Sequence, residues 1–113
     1  MARGAPSSRC LPRVSRLRPK PTAEHATLFK ALADETRLEI LGLLAAAGGS
    51  LCVCDIESHV ALAQPTVSHH LRVLREAGCL RAERRGVWVH YEIDPTCRRR
   101  LEEFCNLMGR DGT

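Results

Sequence analysis

QPTVSHHLRVLREAGCLRAERRGVWVHYEI, Gln64 to Ile93, is the stretch that decides the fold. Its first half has the period of a helix. Pro65 is tolerated in a first helical turn, and Val67, Leu71 and Leu74 recur at i, i+4 and i+7 as one apolar stripe. With about 100° between successive residues, His69 and Arg72 point nearly opposite that stripe, and Thr66, Ser68 and Arg75 lie towards its sides. His70 flanks the apolar edge and reads as structural. Gly78 ends the helix. The second half alternates: Leu80–Arg85 and Val87–Ile93 read as two strands around Arg85-Gly86. Val87, Val89, Tyr91 and Ile93 share one face, and Trp88, His90 and Glu92 the other. A polar helix face followed by a basic hairpin suits a helix in the major groove with a wing beside it. Gln64, Thr66, Ser68, His69, Arg72 and Arg75 are the candidate DNA contacts on the helix. The wing arginines Arg84 and Arg85 are expected at phosphate or in the minor groove.

Upstream, Thr22 to Ala33 reads as a helix with Thr22 at its N-cap and Glu24 in its first turn. Leu28, Phe29 and Leu32 form its stripe. Asp34 caps a second helix, Glu35 to Ala47, whose leucines surround most of the cylinder, so it is expected to be the central buried helix. Gly48-Gly49 ends it. A third, short helix runs from Val53 to about Leu62, with Cys52 at the cap where Ser, Thr, Asp or Asn is usual. Downstream of the hairpin, Asp94 caps a last helix with Pro95 at its first position. Cys97, Leu101, Phe104, Cys105 and Met108 lie on one stripe of it.

Charge is segregated. Residues 1–21 hold four prolines and six basic groups without an acid, which reads as a basic, Pro-rich flexible arm. The remaining chain carries 11 basic against 13 acidic groups, yet residues 64–91 hold five arginines against two glutamates. Residues 22–110 are expected to form one DNA-binding and dimerisation domain. A basic arm and a basic reading segment on an acidic body suit a polyanion. No apolar run approaches the roughly 20 residues that cross a bilayer, and the basic start lacks the apolar segment of a secretory signal. Localisation is therefore expected to be cytoplasmic, with no membrane partner. In that compartment six cysteines point to metal or redox chemistry rather than to a disulfide framework.

The thiols that stand out are Cys52 and Cys54, in LCVCD at 51–55. A helix N-terminus favours thiolate, the metal-binding form. On a regular helix, residues two apart point about 200° apart, so the two sulfurs are expected to diverge at rest and to converge only if the first turn distorts. Cys79 reads as core. Cys97 and Cys105 lie about 12 Å apart along one helix, too far to share an ion within one chain. Interface packing is one reading of them; a competing metal site, with Cys97 near the partner subunit's thiol of the same pair, is the other.

ALADETRLEIL at 31–41, LCVCD at 51–55, QPTVSHHLRVLREAG at 64–78 and RRGVWVHYEI at 84–93 stand in one order. Together they resemble the ArsR/SmtB family of winged helix-turn-helix repressors over about residues 22–105. The resemblance implies a mainly α fold with a β-hairpin wing, ordered α-α-α-α(recognition)-β-β-α. It implies a homodimer, built on the first and last helices, that represses double-stranded operator DNA and releases it when metal binds. LCVCD resembles the sensing motif of arsenic- and antimony-responsive repressors, so As(III) or Sb(III) is the implied inducer, with Cd(II) or Pb(II) the alternative. Where a third cysteine often follows in that motif, Glu57 stands here. Cys10, on the arm, is taken as the third ligand, by likeness to relatives that bring thiols from an N-terminal arm. The zinc set that other relatives carry on the last helix is matched at Asp94 but not at Thr96, Leu107 or Arg110. Many relatives have serine where Ala63 stands, which removes a helix cap worth on the order of 1 kcal/mol.

Three rivals remain. A thiol oxidoreductase would use Cys52 and Cys54, but there is no βαβ pattern and no C-x-x-C, and no enzyme is expected. A redox sensor of the same fold would cross-link the thiols. A metal carrier without DNA binding leaves the basic 64–91 segment unexplained.

Overall fold

The computed structural model describes residues 22–60 and 64–109. Cys10 and the arm, Ala63 and Arg110 lie outside them. The elements run α1 (Ala23–Leu32), α2 (Glu35–Ala47), β1 (Leu51–Cys52), α3 (Val53–Val60), α4 (Gln64–Glu76), β2 (Leu80–Arg85), β3 (Trp88–Ile93) and α5 (Pro95–Leu107). This is the expected order with one addition. The strand β1 pairs with β3, giving a three-stranded antiparallel sheet in the order β1-β3-β2. Its two residues are too few to show a period, and the pairing that makes them a strand comes from forty residues away in sequence, at Tyr91 and His90.

Side-chain caps set the helix ends. The Thr22 hydroxyl accepts from the His25 backbone N–H, and the Thr22 N–H donates back to His25 Nδ1 at 3.1 Å, a reciprocal box with histidine in the usual glutamate place. Asp34 Oδ2 accepts from the Arg37 N–H at 3.1 Å at the start of α2, and Asp94 Oδ1 accepts from the Thr96 N–H at 2.9 Å at the start of α5. Gly48 closes α2 at φ 73°, a left-handed conformation that a side chain would strain.

The core gathers at the centre of the bundle. Leu28 from α1, Ile40 and Leu44 from α2, Ile56 from α3, and Val67, Leu71 and Leu74 from α4 are all buried. Burying each is worth roughly 1.5–3 kcal/mol. The predicted α4 stripe is therefore the face that docks. Helix α2 is less enclosed than its sequence suggests: Leu38 is 52% exposed, while Leu41 and Leu43 are only partly buried. Its leucines thus outnumber the positions that this chain alone buries. Phe29 and Met108 are exposed as well, with Phe29 edge-on to Phe104 across α1 and α5.

Candidate functional site: a dithiol junction beside a nucleic-acid-reading helix

Docking the Val67-Leu71-Leu74 stripe turns the opposite side of α4 outward. Thr66, Ser68, His69, Arg72 and Arg75 are all exposed, as are Arg84 and Arg85 on the hairpin. Gln64 opens α4. Pro65, Ser68, His69, Arg72 and Arg75 border a shallow recess with Tyr91 of β3. Tyr91 joins this surface because the sheet packs beside α4; alternation alone put it only on the same strand face as Val89 and Ile93. His70 is half-buried, with its Nδ1 3.2 Å from the Arg37 guanidinium and 3.8 Å from Asp34 Oδ2. Arg37 Nε also donates to the Ala31 carbonyl at 2.6 Å. One arginine thus ties the end of α1, the start of α2 and the back of α4 together. The Arg37 backbone N–H, first, and the neighbouring His70 and Arg37 charges hold the Asp34 carboxyl below its usual range.

The thiol pair departs from the expectation. Cys52 and Cys54 do not diverge: they are joined as a disulfide, with Cα atoms 5.3 Å apart. The 200° argument assumed that both lie on one helix. Cys52 instead belongs to β1, opposite His90 on β3, and α3 begins only at Val53. The chain changes direction between the two cysteines, and that change turns both side chains the same way. Reduction by two electrons returns two thiols already side by side. The Asp55 carboxylate joins them: one ligand atom from each of Cys52, Cys54 and Asp55 lies within 4.8 Å of the others. Two soft sulfurs and one carboxylate oxygen form an incomplete but usable set for a thiophilic cation. A carboxylate in the first turn of a helix is common without any ligand, so Asp55 carries no signal of this role in the sequence. Near the pair, Glu57 Oε2 and His90 Nδ1 are buried without a hydrogen-bond partner among the described residues.

The other cysteines fall into place differently. Cys105 is exposed, whereas Cys79 and Cys97 are buried. The Cys79 thiol holds the Cys97 thiol down at about 7, while the Cys97 thiol, first, and burial push Cys79 up. His25 is also more than helix filling: its Nε2 lies 3.3 Å from Glu103 Oε1, linking α1 to α5.

Residues 34–81 match the family described as bacterial regulatory protein, arsR family. The arsenical resistance operon repressor of Escherichia coli is 52% identical over 68 residues, covering 60% of this chain and 57% of that protein. The chain therefore aligns with little more than half the length of that relative. The cadmium resistance transcriptional regulatory protein CadC homolog of Staphylococcus aureus is 37% identical over 86 residues, covering 76% of this chain and 70% of that protein. Among solved structures, the AntR antimony-specific transcriptional repressor superposes with a TM-score of 0.62 at 38% identity, covering 86% of this chain and 90% of that one.

Proposed function

The chain belongs to the arsR family of bacterial regulatory proteins, DNA-binding regulators rather than enzymes, and from that premise we propose that it is an operator-binding repressor released by As(III) or Sb(III). In this reading Cys52 and Cys54 are the primary ligands, as thiolates, and Cys10 supplies a third sulfur. The observation that carries it is the side-by-side placement of Cys52 and Cys54 at the β1–α3 junction. The names of two relatives support this choice: an arsenical resistance operon repressor in Escherichia coli and the antimony-specific transcriptional repressor AntR. Trivalent arsenic and antimony favour three sulfurs, and soft thiolates select such ions over hard ones. With Asp55 in place of Cys10 the same pair would form a sulfur–oxygen site better suited to cadmium or lead.

The working unit is a homodimer. Phe29 on α1 and Met108 after α5 leave apolar surface uncovered in one chain, and pairing around a two-fold axis covers such surface. Two α4 helices would then face successive major grooves about 34 Å apart. Gln64, Thr66, Ser68, His69, Arg72 and Arg75 read the groove, and Arg84 and Arg85 hold the backbone beside it. Residues 1–21 would supply Cys10 to this 22–110 domain.

Release follows from where the thiols are rooted. Drawing Cys52 and Cys54 around a third donor moves β1 and the start of α3 together. The strand β3 follows β1 through its pairing, and α4 follows α3 through shared core contacts. By linkage, operator and inducer weaken each other by the same factor. The test is fluorescence anisotropy of a labelled operator titrated with arsenite, antimonite, cadmium and lead, for the wild type and for Cys10→Ser, Cys52→Ser and Cys54→Ser. Equal inducer affinity for free and operator-bound protein would sink this reading.

The disulfide favours one second reading, a thiol-redox repressor of the same fold. Oxidation of Cys52 and Cys54 by a peroxide or diamide would then release the operator with no metal present. Retention of operator binding by the fully oxidised protein excludes it.

A further inference from the structure

A second recess, of about 420 Å³, follows the seam between α1 and α4, bordered by Thr27 and Lys30 of α1, Arg37 of α2, and His69, Val73 and Glu76 of α4. The two helices run antiparallel along it. Ala23, Glu24 and Thr27 meet Glu76 to Gly78 at one end. Lys30, a turn further along α1, therefore lies towards His69, with Glu76 at the opposite end. His69 also borders the recess of Ser68, Arg72 and Arg75. The Lys30 end of the seam is thus continuous with the outward face of α4.

The cations are sorted in the same way. Among the described residues, Arg81, Arg85, Arg99 and Arg100 each have a carboxylate partner. Lys30, Arg37, Arg72, Arg75, Arg84 and Arg98 have none there. Apart from Arg98, on α5, these are the cations of the seam, of the outward α4 face and of the wing. Arg37 is held in place: Nε donates to the Ala31 carbonyl at 2.6 Å, and Nη1 donates to His70 Nδ1 at 3.2 Å. A carbonyl and a ring nitrogen that accepts are both neutral, so neither cancels the guanidinium charge. Asp34 is close by, but its Oδ2 is committed to capping α2. The remaining N–H groups of Arg37 are left to meet an anion. A guanidinium already held in position loses little freedom on doing so, and its fork suits phosphate oxygens.

We propose that Lys30 and Arg37 form a phosphate-binding site for the DNA backbone, at the flank of the groove that α4 enters. The site rests on the operator-binding reading above and extends its contact surface to α1. Lys30 supplies a flexible point charge and Arg37 a preset fork. His69 stands where the base edges give way to the backbone. Glu76 repels phosphate from the far end of the seam, which confines the strand to the Lys30 end. Such a contact carries no sequence information, so it adds affinity for every duplex alike and fixes how α4 sits in its groove.

The test takes the full-length reduced protein, a labelled duplex that it selects from a random-sequence library, and an unselected duplex of the same length. Anisotropy titrations over a salt series give the slope of log affinity against log salt concentration. Lys30→Gln is expected to reduce the magnitude of that slope by about 0.9 for each chain bound. It should weaken both duplexes by the same factor, on the order of tenfold per chain at about 0.1 M salt. Lys30→Arg should restore slope and affinity. Arg99→Gln removes the same charge from α5, where Arg99 pairs with Glu103, and should leave the slope unchanged. Arg37→Lys keeps the charge but loses the fork, and should weaken both duplexes with the slope retained; if it unfolds, the Lys30 variants decide. An unchanged slope in Lys30→Gln, or a loss confined to the selected duplex, overturns the proposal. A wild type that binds neither duplex brings down the operator reading first, and this site with it.

Discussion

Two pairs of cysteines sit in this small domain, and they differ in almost everything but composition. Cys52 and Cys54 lie two residues apart at a strand–helix junction, Cys52 half-buried and Cys54 exposed. Cys79 and Cys97 lie far apart in sequence, are brought together by strand register, and are shut into the core. The first pair is positioned by a local change of chain direction at the rim of the core, between Leu51 and Val53, which pack against it. The second is part of the packing. Sulfur at a strand–helix junction can report binding to the rest of the molecule, whereas sulfur in the core contributes first to stability.

The sharpest way to break this contrast is to remove the junction pair. Cys52→Ser with Cys54→Ser is expected to abolish the response of operator binding to arsenite, a loss of up to roughly 150-fold in coupling, with operator affinity itself unchanged. A retained response in anisotropy titrations would move the sensing role elsewhere. A serine placed in the core should behave the other way. Cys97→Ser puts a hydroxyl in an apolar site and should cost about 2 kcal/mol, while Cys52→Ser should stay within about 0.5 kcal/mol. Urea denaturation of the two variants, both under reducing conditions, gives the comparison directly; equal losses would erase it.

Asp55 tests how far the junction set extends beyond sulfur. Asp55→Asn should weaken cadmium binding on the order of tenfold and leave arsenite binding nearly untouched, as read by competition with a chromophoric chelator. A matching loss for both would make Asp55 a general electrostatic aid rather than a ligand. The smallest effect concerns pH. The Cys97 thiol is held down to about 7 from its ordinary 9.0, so its contribution to stability is present above pH 9 and is lost as pH falls through 7. Cys79 is shifted the opposite way, so its contribution is present below pH 9 and is lost above it. The urea midpoint of the reduced protein should therefore climb from pH 7 to pH 9 and then turn down. In Cys97→Ala the climb should vanish.

The comparison also shows what the residues alone disclose. Helix bounds, the hairpin and the docking stripe of α4 were legible because they rest on periods and caps that lie within a few residues. Glu35–Ala47 and Leu80–Arg85 are observed with the bounds their sequence predicts. The exposed face of α4 follows from the same period. The strand β1 was not legible, because two residues carry no period and their partners are remote. That omission produced the mistaken divergence of Cys52 and Cys54. The meeting of Cys79 with Cys97 was hidden for the same reason: only the Leu80–Ile93 register reveals it. Tyr91 entered the recess beside α4 by the same non-local route. Its neighbour in the sheet is Leu51, the residue before the first junction thiol.

The order β1-β3-β2 has a mechanical consequence. Cys52 is fastened opposite His90, and from there β3 extends two residues towards the hairpin turn, to Trp88 opposite Arg85, roughly 7 Å at a strand's rise of about 3.3 Å per residue. The hairpin is thus an oar with its lock at the sulfur. A tilt of about 10° at Cys52 sweeps the Arg85 backbone, opposite Trp88, through roughly 1 Å over that length, enough to stretch a guanidinium–phosphate hydrogen bond beyond its usual range. A junction of two residues can therefore be felt along the wing through the sheet as well as through the core.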